Sequence, residues 1–203
     1  MQRRHHYEQA FSAYLRRHRI PYIGVDEARK ALLPDDAVPG VSAPGTDAPT
    51  RALKSFDFVI YADPSRPEAP DANLLIDIKG RKVARRSPRA DPLAPGRLEN
   101  WVTREDIDSL TIWEQLFGDG FRAAFVFLYW CEAQPPDGLF QQVFDHRARW
   151  YAMRTITLTD YKAHMRLRSP RWGTMHLPTA DFEELSQPLL RIASQTGEPQ
   201  RHP

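Results

Sequence analysis

The stretch 73–82 (NLLIDIKGRK) begins with an apolar run, but Asp77 and Lys79 stand at positions where further core residues would be expected. Successive side chains of a β-strand point to opposite faces, so Asp77 and Lys79 project to the same face, about 6 to 7 Å apart along the strand. Ile78 lies between them and points away, toward apolar packing. The strand end therefore presents a carboxylate and an ammonium group together. A solvated salt bridge is the alternative interpretation of this pair.

A second carboxylate, Asp57, interrupts the apolar run 55–62 (SFDFVIYA), and the turn-forming residues 63–72 separate this run from the one that holds Asp77. This arrangement predicts two paired strands whose carboxylates converge. Two converging carboxylates repel each other unless a cation lies between them. Mg²⁺ suits such a pair because it prefers oxygen ligands, usually one or two carboxylates with water and substrate phosphate, and Mn²⁺ is able to substitute. Such a metal can polarise a phosphoryl oxygen and activate a water, which Lys79 would orient.

The elements that must position these residues follow the order helix, three strands, helix, strand. An apolar stripe predicts a first helix over about residues 3–19, and a capping box that pairs Thr103 with Asp106 predicts a second helix that ends near Gly118. Asp106 is interpreted there as a helix-start acid. The continuous apolar run 121–131 is typical of a strand buried on both faces. These elements predict an α/β layered domain.

A mixed extension is expected to follow this core. Residues 139–146 and 149–158 predict two weaker strands, and Thr159 and Thr179 are each expected to cap a further helix. Within a single domain, 1–193, two mobile loops are predicted at about 34–50 and 83–97, because both segments are rich in proline. Residues 194–203 are expected to form a disordered tail.

Composition excludes several classes of protein. The chain has 203 residues and one cysteine, Cys131, which excludes an internal disulfide and a multi-cysteine zinc site and favours a buried packing thiol. There is no run of about 18 apolar residues that would cross a bilayer, and the first residues lack the apolar core of a secretion signal. The expected location is therefore the cytoplasm, without a membrane partner.

Basic residues are concentrated directly after the Asp77 strand. The formal net charge is only +2, but residues 79–97 hold seven Lys or Arg and one acid, Asp91. We define the basic arm by the residues predicted to contact phosphate, which are Arg81, Lys82, Arg85, Arg86 and Arg89. Such an arm would give salt-dependent affinity for nucleic acid that does not depend on base sequence. The alternative interpretation is a solubilising loop.

Over about residues 3–131 the chain resembles the PD-(D/E)xK nuclease superfamily, whose restriction-endonuclease-like core has the same order of elements. The resemblance implies that Asp57 is the first acid and that Asp77-Ile78-Lys79 is the acid-x-Lys motif. It further implies that Asp57, Asp77, the backbone carbonyl of Ile78 and a first-helix glutamate, Glu8, lie at the metal, and that Lys79 assists the water. Phe56 stands where that motif has proline.

A narrower resemblance is to the HYExAFE family of uncharacterised bacterial proteins. Residues 6–11 (HYEQAF) reproduce that signature, and Ser12 replaces its last glutamate. The blocks LKSFDF, DIKGR, LENWVTREDI and WEQLFG are also similar to that family. This family supplies no reaction of its own.

Two functions are compatible with these features. The first is a metal-dependent nuclease that hydrolyses nucleic-acid phosphodiester bonds, with DNA as the favoured substrate. Its catalytic residues would be Asp57, Asp77, Lys79 and Glu8. The alternative is a catalytically silent module on the same fold that binds nucleic acid or a protein. The sequence does not predict an oligomeric state.

Overall fold

The computed structural model describes residues 2–25, 40–41, 51–63, 72–83, 98–132, 135 and 142–189. The helices are α1 (Gln2–Arg17), α2 (Arg104–Phe117), α3 (Leu158–His164) and α4 (Thr179–Leu185). The strands are β1 (Tyr22–Gly24), β2 (Gly40–Val41), β3 (Arg51–Ala52), β4 (Phe58–Ile60), β5 (Asn73–Lys82), β6 (Val102–Thr103), β7 (Phe121–Cys131), β8 (Gln142–His146), β9 (Arg149–Thr157), β10 (Arg166–Ser169) and β11 (Thr174–His176).

Among the described residues, six strands form the central sheet in the order β1-β4-β5-β7-β9-β8. β5 and β7 are parallel, and the other neighbours are antiparallel. β10, β11 and β6 form a second, three-stranded sheet, and β2 pairs with β3. The predicted order helix, three strands, helix, strand is confirmed as α1, β1, β4, β5, α2 and β7. The α/β class and the mixed C-terminal extension are also confirmed.

Apolar layers cover both faces of the central sheet. On one face α1 packs Phe11 and Leu15 against strand residues that include Ile76. On the other face α2 contributes Trp113 to a cluster that also holds residues of α3 and α4. All residues from Ala123 to Tyr129 of β7 are buried, as the continuous apolar run predicts. The central strands are therefore a rigid platform for anything that lies at their ends.

Two helix starts differ from the expected ones. α3 is capped by Thr157, not Thr159, because the Thr157 hydroxyl accepts from the amide of Asp160 at 3.0 Å and so satisfies one of the free amides of the first turn. α4 begins at Thr179 after Pro178, with no side-chain cap, and it ends at Leu185. Beyond it Gln187 forms a bridge with Thr155, and the proline that follows cannot continue a helix.

A close contact fixes α1 against β5. A Cβ atom on Gly80 would lie 2.2 Å from the Tyr7 ring, so the side chain of any other residue would force the ring away. This contact places the first turns of α1, including Glu8, beside the end of β5. Most of the two predicted loops lies outside the described residues, as does the predicted tail.

Cys131 is buried, as predicted. In the described part of the chain, none of the helices has the length and apolar character needed to span a membrane.

Candidate functional site

A cleft opens where β5 continues beyond its partner β4. The register between these strands ends at the pair Phe58 and Ile76, whereas β5 continues to Lys82. The cleft has a volume of about 470 Å³. It is lined by Tyr7, Glu8, Lys54, Ser55, Asp57, Asp77, Ile78, Lys79, Gly80, Arg81 and Asp106. All four residues predicted to be catalytic therefore line one cavity.

Asp57 closes the pairing of the two strands at the mouth of this cleft. Its backbone amide donates to the carbonyl of Ile76 at 2.8 Å. Its carboxylate Oδ2 accepts from the backbone amide of Ile78 at 2.6 Å, where a backbone carbonyl of β4 would accept if the strand pairing continued. The carboxylate is therefore fixed beside the segment that carries Asp77 and Lys79.

Burial and neighbouring negative charge act together on Asp57. Burial is the main cause that raises its pKa to about 7, and the charge of Asp77 is the next, with a smaller contribution from Glu8. The Ile78 amide and the Lys79 charge act in the opposite direction. Near neutral pH, a cation beside this carboxyl group would relieve the repulsion.

Asp77 and Lys79 project to the same face of β5, as strand alternation predicts. Each is about 8% exposed, and Lys79 Nζ lies 2.7 Å from Asp77 Oδ2. Ile78 points to the other face and packs against the cluster that contains α1. A solvated salt bridge is thus excluded for this pair because both side chains are buried.

A second acid, Asp106, which was not predicted for the site, lies beside Lys79. Asp106 Oδ2 lies 3.2 Å from Lys79 Nζ, and its Oδ1 accepts from Lys54 Nζ at 3.0 Å. Asp106 also makes the predicted capping box with Thr103, so its interpretation as a helix-start acid was right but incomplete. Lys54 also contacts Glu105 of α2 at 2.9 Å. Lys54 was not predicted as a site residue, because no local pattern in the sequence links it to α2.

The electrostatic contribution of Asp106 leads to a pH-dependent prediction. Burial opposes its ionisation, but Lys79, the Thr103 amide and hydroxyl, and Lys54 outweigh burial and lower its pKa to about 2. The pKa of Asp106 is lower in the folded protein than its usual value of 3.8. The ionised Asp106 therefore stabilises the fold fully above pH 3.8, and this stabilisation is lost as the pH falls through about 2. Asp106→Asn should therefore lower the free energy of unfolding by about 2 kcal/mol at pH 7 and by about half as much at pH 3.

Urea unfolding of the parent and the Asp106→Asn variant across this pH range measures the difference. Asp108→Asn is the matched control, because Asp108 is exposed on the same helix and its replacement should change stability by less than about 0.5 kcal/mol. A destabilisation by Asp106→Asn that stays constant from pH 7 to pH 3 would contradict the proposed role of the two lysines.

Only part of the basic arm lies within the described residues. Arg81 donates to the backbone carbonyls of Gly80 at 3.0 Å and Trp101 at 2.5 Å, and its guanidinium lies 4.2 Å from the centre of the Trp101 ring. Lys82 forms an ion pair of 2.7 Å with Glu132. Both side chains are therefore held by protein contacts. Arg85, Arg86 and Arg89 lie outside the described residues.

The donor set of the cleft consists of carboxylates. Among the described residues there is no group of three His, Cys, Asp or Glu side chains that could hold a metal ion alone. Asp57 and Asp77 interact electrostatically and line the same cavity, with Glu8 nearby. Two carboxylates are enough for Mg²⁺, which usually keeps several waters. The donors present therefore fit this metal, and the Ile78 carbonyl remains a predicted ligand.

Comparisons with known proteins add little to this geometry. No family model matches the sequence, and no curated protein matches it. Hjc, a Holliday junction resolvase from the archaeal hyperthermophile Archaeoglobus fulgidus, has a similar solved structure. It is 11% identical, with a TM-score of 0.43 over 95% of this chain and 97% of that one. A likeness at this level carries no argument about function, and HYExAFE membership remains a prediction.

Proposed function

We propose that this protein is a metal-dependent nuclease that hydrolyses phosphodiester bonds, with DNA as its substrate. The observation that carries the proposal is the convergence of Asp57, Asp77 and Lys79 in one cleft at the unpaired end of β5, with Glu8 on the neighbouring helix. These are an acid pair and a cation, the groups that metal-assisted hydrolysis requires.

Asp57 and Asp77 would hold Mg²⁺, and Glu8 would support the metal or one of its waters. When bound, Mg²⁺ would polarise a phosphoryl oxygen and lower the pKa of a water for in-line attack. The raised pKa of Asp57 supports this assignment because burial and the charge of Asp77 both penalise its ionised form without a cation.

Lys79 would orient the attacking water and stabilise the negative charge that develops on it. Its ammonium group lies between two carboxylates, at 2.7 Å from Asp77 and 3.2 Å from Asp106, and these contacts fix its direction. A donor that is fixed before the reaction needs little reorganisation in the transition state. Asp106 is a positioning residue in this scheme, since it acts through Lys79.

Charge beside the cleft supports a polyanionic substrate. Inside the cleft, the cations Lys54, Lys79 and Arg81 are balanced by four carboxylates, whereas the arm residues Arg85, Arg86 and Arg89 follow directly in the chain. Cations along a groove give affinity for phosphates whatever the base sequence.

A catalytically silent binding module remains the second candidate. The observation that favours it is the pairing of Lys79 with Asp77 and Asp106, because these contacts neutralise the ammonium group within the protein.

Metal binding by the acid pair is testable through stability. A ligand that binds only the folded state at ten times its dissociation constant stabilises it by about 1.4 kcal/mol, which raises the Tm of a chain of this size by about 3 to 5 °C. We expect this rise when MgCl₂ is added to the parent and to Asp108→Asn, and no rise for Asp77→Asn. NaCl of equal ionic strength controls for screening. Equal Mg²⁺ stabilisation of the parent and Asp77→Asn would exclude this metal site.

A further inference from the structure

The β10–β11 hairpin presents a basic and aromatic surface that the proposed cleft does not use. Residues 166–173 (RLRSPRWG) contain three arginines and no acid. Trp172 is 69% exposed and Leu167 is 52% exposed, and these are the large hydrophobic residues most open to solvent among those described. Arg166, Arg168 and Arg171 are exposed as well. We call residues 166–173 the hairpin.

A stack of side chains joins the hairpin to the cleft. Arg81, which lines the cleft, lies 4.2 Å from the centre of the Trp101 ring, and Arg168 of the hairpin lies 5.3 Å from the same ring. Both distances are within the range of cation–π contacts. Glu99 also belongs to this stack, because it forms an ion pair of 3.6 Å with Arg168. The stack therefore connects the cleft with the hairpin, and the unpaired cations of the hairpin are Arg166 and Arg171, for which the structure shows no ion pair with any described residue.

Backbone contacts hold the hairpin in this position. β10 of the hairpin pairs with β11, which in turn pairs with β6. The carbonyl of Gly173 accepts from the backbone amide of Arg104 at 2.8 Å. Arg104 is the first residue of α2, two positions before Asp106, and its side chain is exposed. The hairpin is thus anchored to the same end of α2 that holds Lys79, and Arg104 adds a further exposed cation beside the turn.

The chemistry of the exposed tip matches an unpaired nucleotide. An indole ring in solvent can stack on the π-face that every base has, but a base within a duplex has both faces covered. The guanidinium of Arg171 lies over the Trp172 ring, 5.3 Å from its centre, so a cation that can bind a phosphate adjoins the ring on which a base would stack.

We propose that the hairpin binds unpaired nucleotides of DNA, with Trp172 stacked on a base and Arg166 and Arg171 in contact with phosphates. This inference deepens the proposed nuclease and rests on it for the reaction: the substrate class is DNA in which a single-stranded segment lies next to the duplex held at the cleft. The binding itself does not require cleavage.

The test measures binding and cleavage separately. Binding of fluorescein-labelled oligothymidine and of a labelled duplex is followed by anisotropy in EDTA. Trp172→Ala should weaken binding of the single strand by roughly 5- to 150-fold, which corresponds to the loss of one stacked base. Binding of the duplex should change by less than about twofold. Trp172→Phe should retain most of the affinity, and Leu167→Ala is the matched control for loss of apolar surface.

Each outcome bears on one proposal. Single-strand affinity of Trp172→Ala equal to that of the parent would overturn the role of the hairpin, even if Mg²⁺-dependent cleavage is observed. The expected loss of single-strand affinity without any cleavage would support the hairpin and contradict the nuclease. A parent that sediments as a dimer, with a Trp172→Ala variant that sediments as a monomer and binds oligothymidine normally, would assign the hairpin to a second copy of the chain instead.

Discussion

Asp77→Asn should reduce the rate of DNA cleavage by about 100- to 1000-fold. A metal that polarises a phosphoryl oxygen contributes several kcal/mol to the transition state, and the loss of one preorganised electrostatic contact typically costs this factor. Asparagine keeps the shape of the side chain but removes the negative charge that would attract Mg²⁺. The variant should still fold, because Lys79 keeps its contact of 3.2 Å with Asp106.

DNA binding by Asp77→Asn should be unchanged or tighter, because the variant has one carboxylate fewer to repel phosphate. Single-turnover cleavage in Mg²⁺ and anisotropy in EDTA measure the two effects. Asp108→Asn removes the same charge from an exposed site and should cleave like the parent. A variant Asp77→Asn that cleaves at the parent rate would remove the acid pair from the mechanism.

Replacement of Arg85, Arg86 and Arg89 by Ser should weaken duplex binding for all sequences alike. Each cation that neutralises a phosphate releases counterions, which contributes about 0.9 to the slope of log affinity against log salt concentration. The triple variant should therefore flatten this slope by up to about 2.7. Arg81 and Lys82 belong to the predicted arm too, but their contacts with Trp101 and Glu132 make their replacement a poorer test, since it would also remove protein interactions.

Anisotropy across a salt series, with duplexes of several sequences, measures the contribution of the arm. Arg122→Ser serves as the control, because Arg122 of β7 pairs with Leu74, at the end of β5 away from the cleft. An unchanged slope in the triple variant would favour the solubilising-loop interpretation of the arm.

The parts of the site that lie close together in the sequence were predictable. Strand alternation alone places Asp77 and Lys79 on one face, and the two apolar runs with a turn between them predict the pairing that brings Asp57 alongside. The capping box of α2 is similarly local, since Thr103 and Asp106 are three residues apart. Each of these predictions depends on backbone periodicity or on hydrogen bonds within one turn.

The remaining parts depend on packing between distant elements. The contact of Asp106 with Lys79 spans 27 residues and exists because the start of α2 packs beside β5, which no local pattern encodes. Thr157 and Thr159 are both plausible caps by type, and the choice between them is decided where β9 ends. The exposure of Trp172 was not predicted, because the burial of a tryptophan is set by the tertiary structure.

The most direct test of the proposed catalytic centre is one cleavage assay. Labelled single-stranded, nicked, branched and duplex DNAs are incubated with the parent in Mg²⁺, with the parent in EDTA, and with Lys79→Met in Mg²⁺, after circular dichroism has shown that the variant is folded. Methionine keeps an unbranched stem but removes the charge. We expect cleavage of at least one substrate by the parent in Mg²⁺, none in EDTA, and a loss of about 100-fold or more for Lys79→Met. Cleavage by the parent that persists in EDTA, cleavage by Lys79→Met at the parent rate, or no cleavage of any substrate by the parent in Mg²⁺ would contradict this catalytic centre.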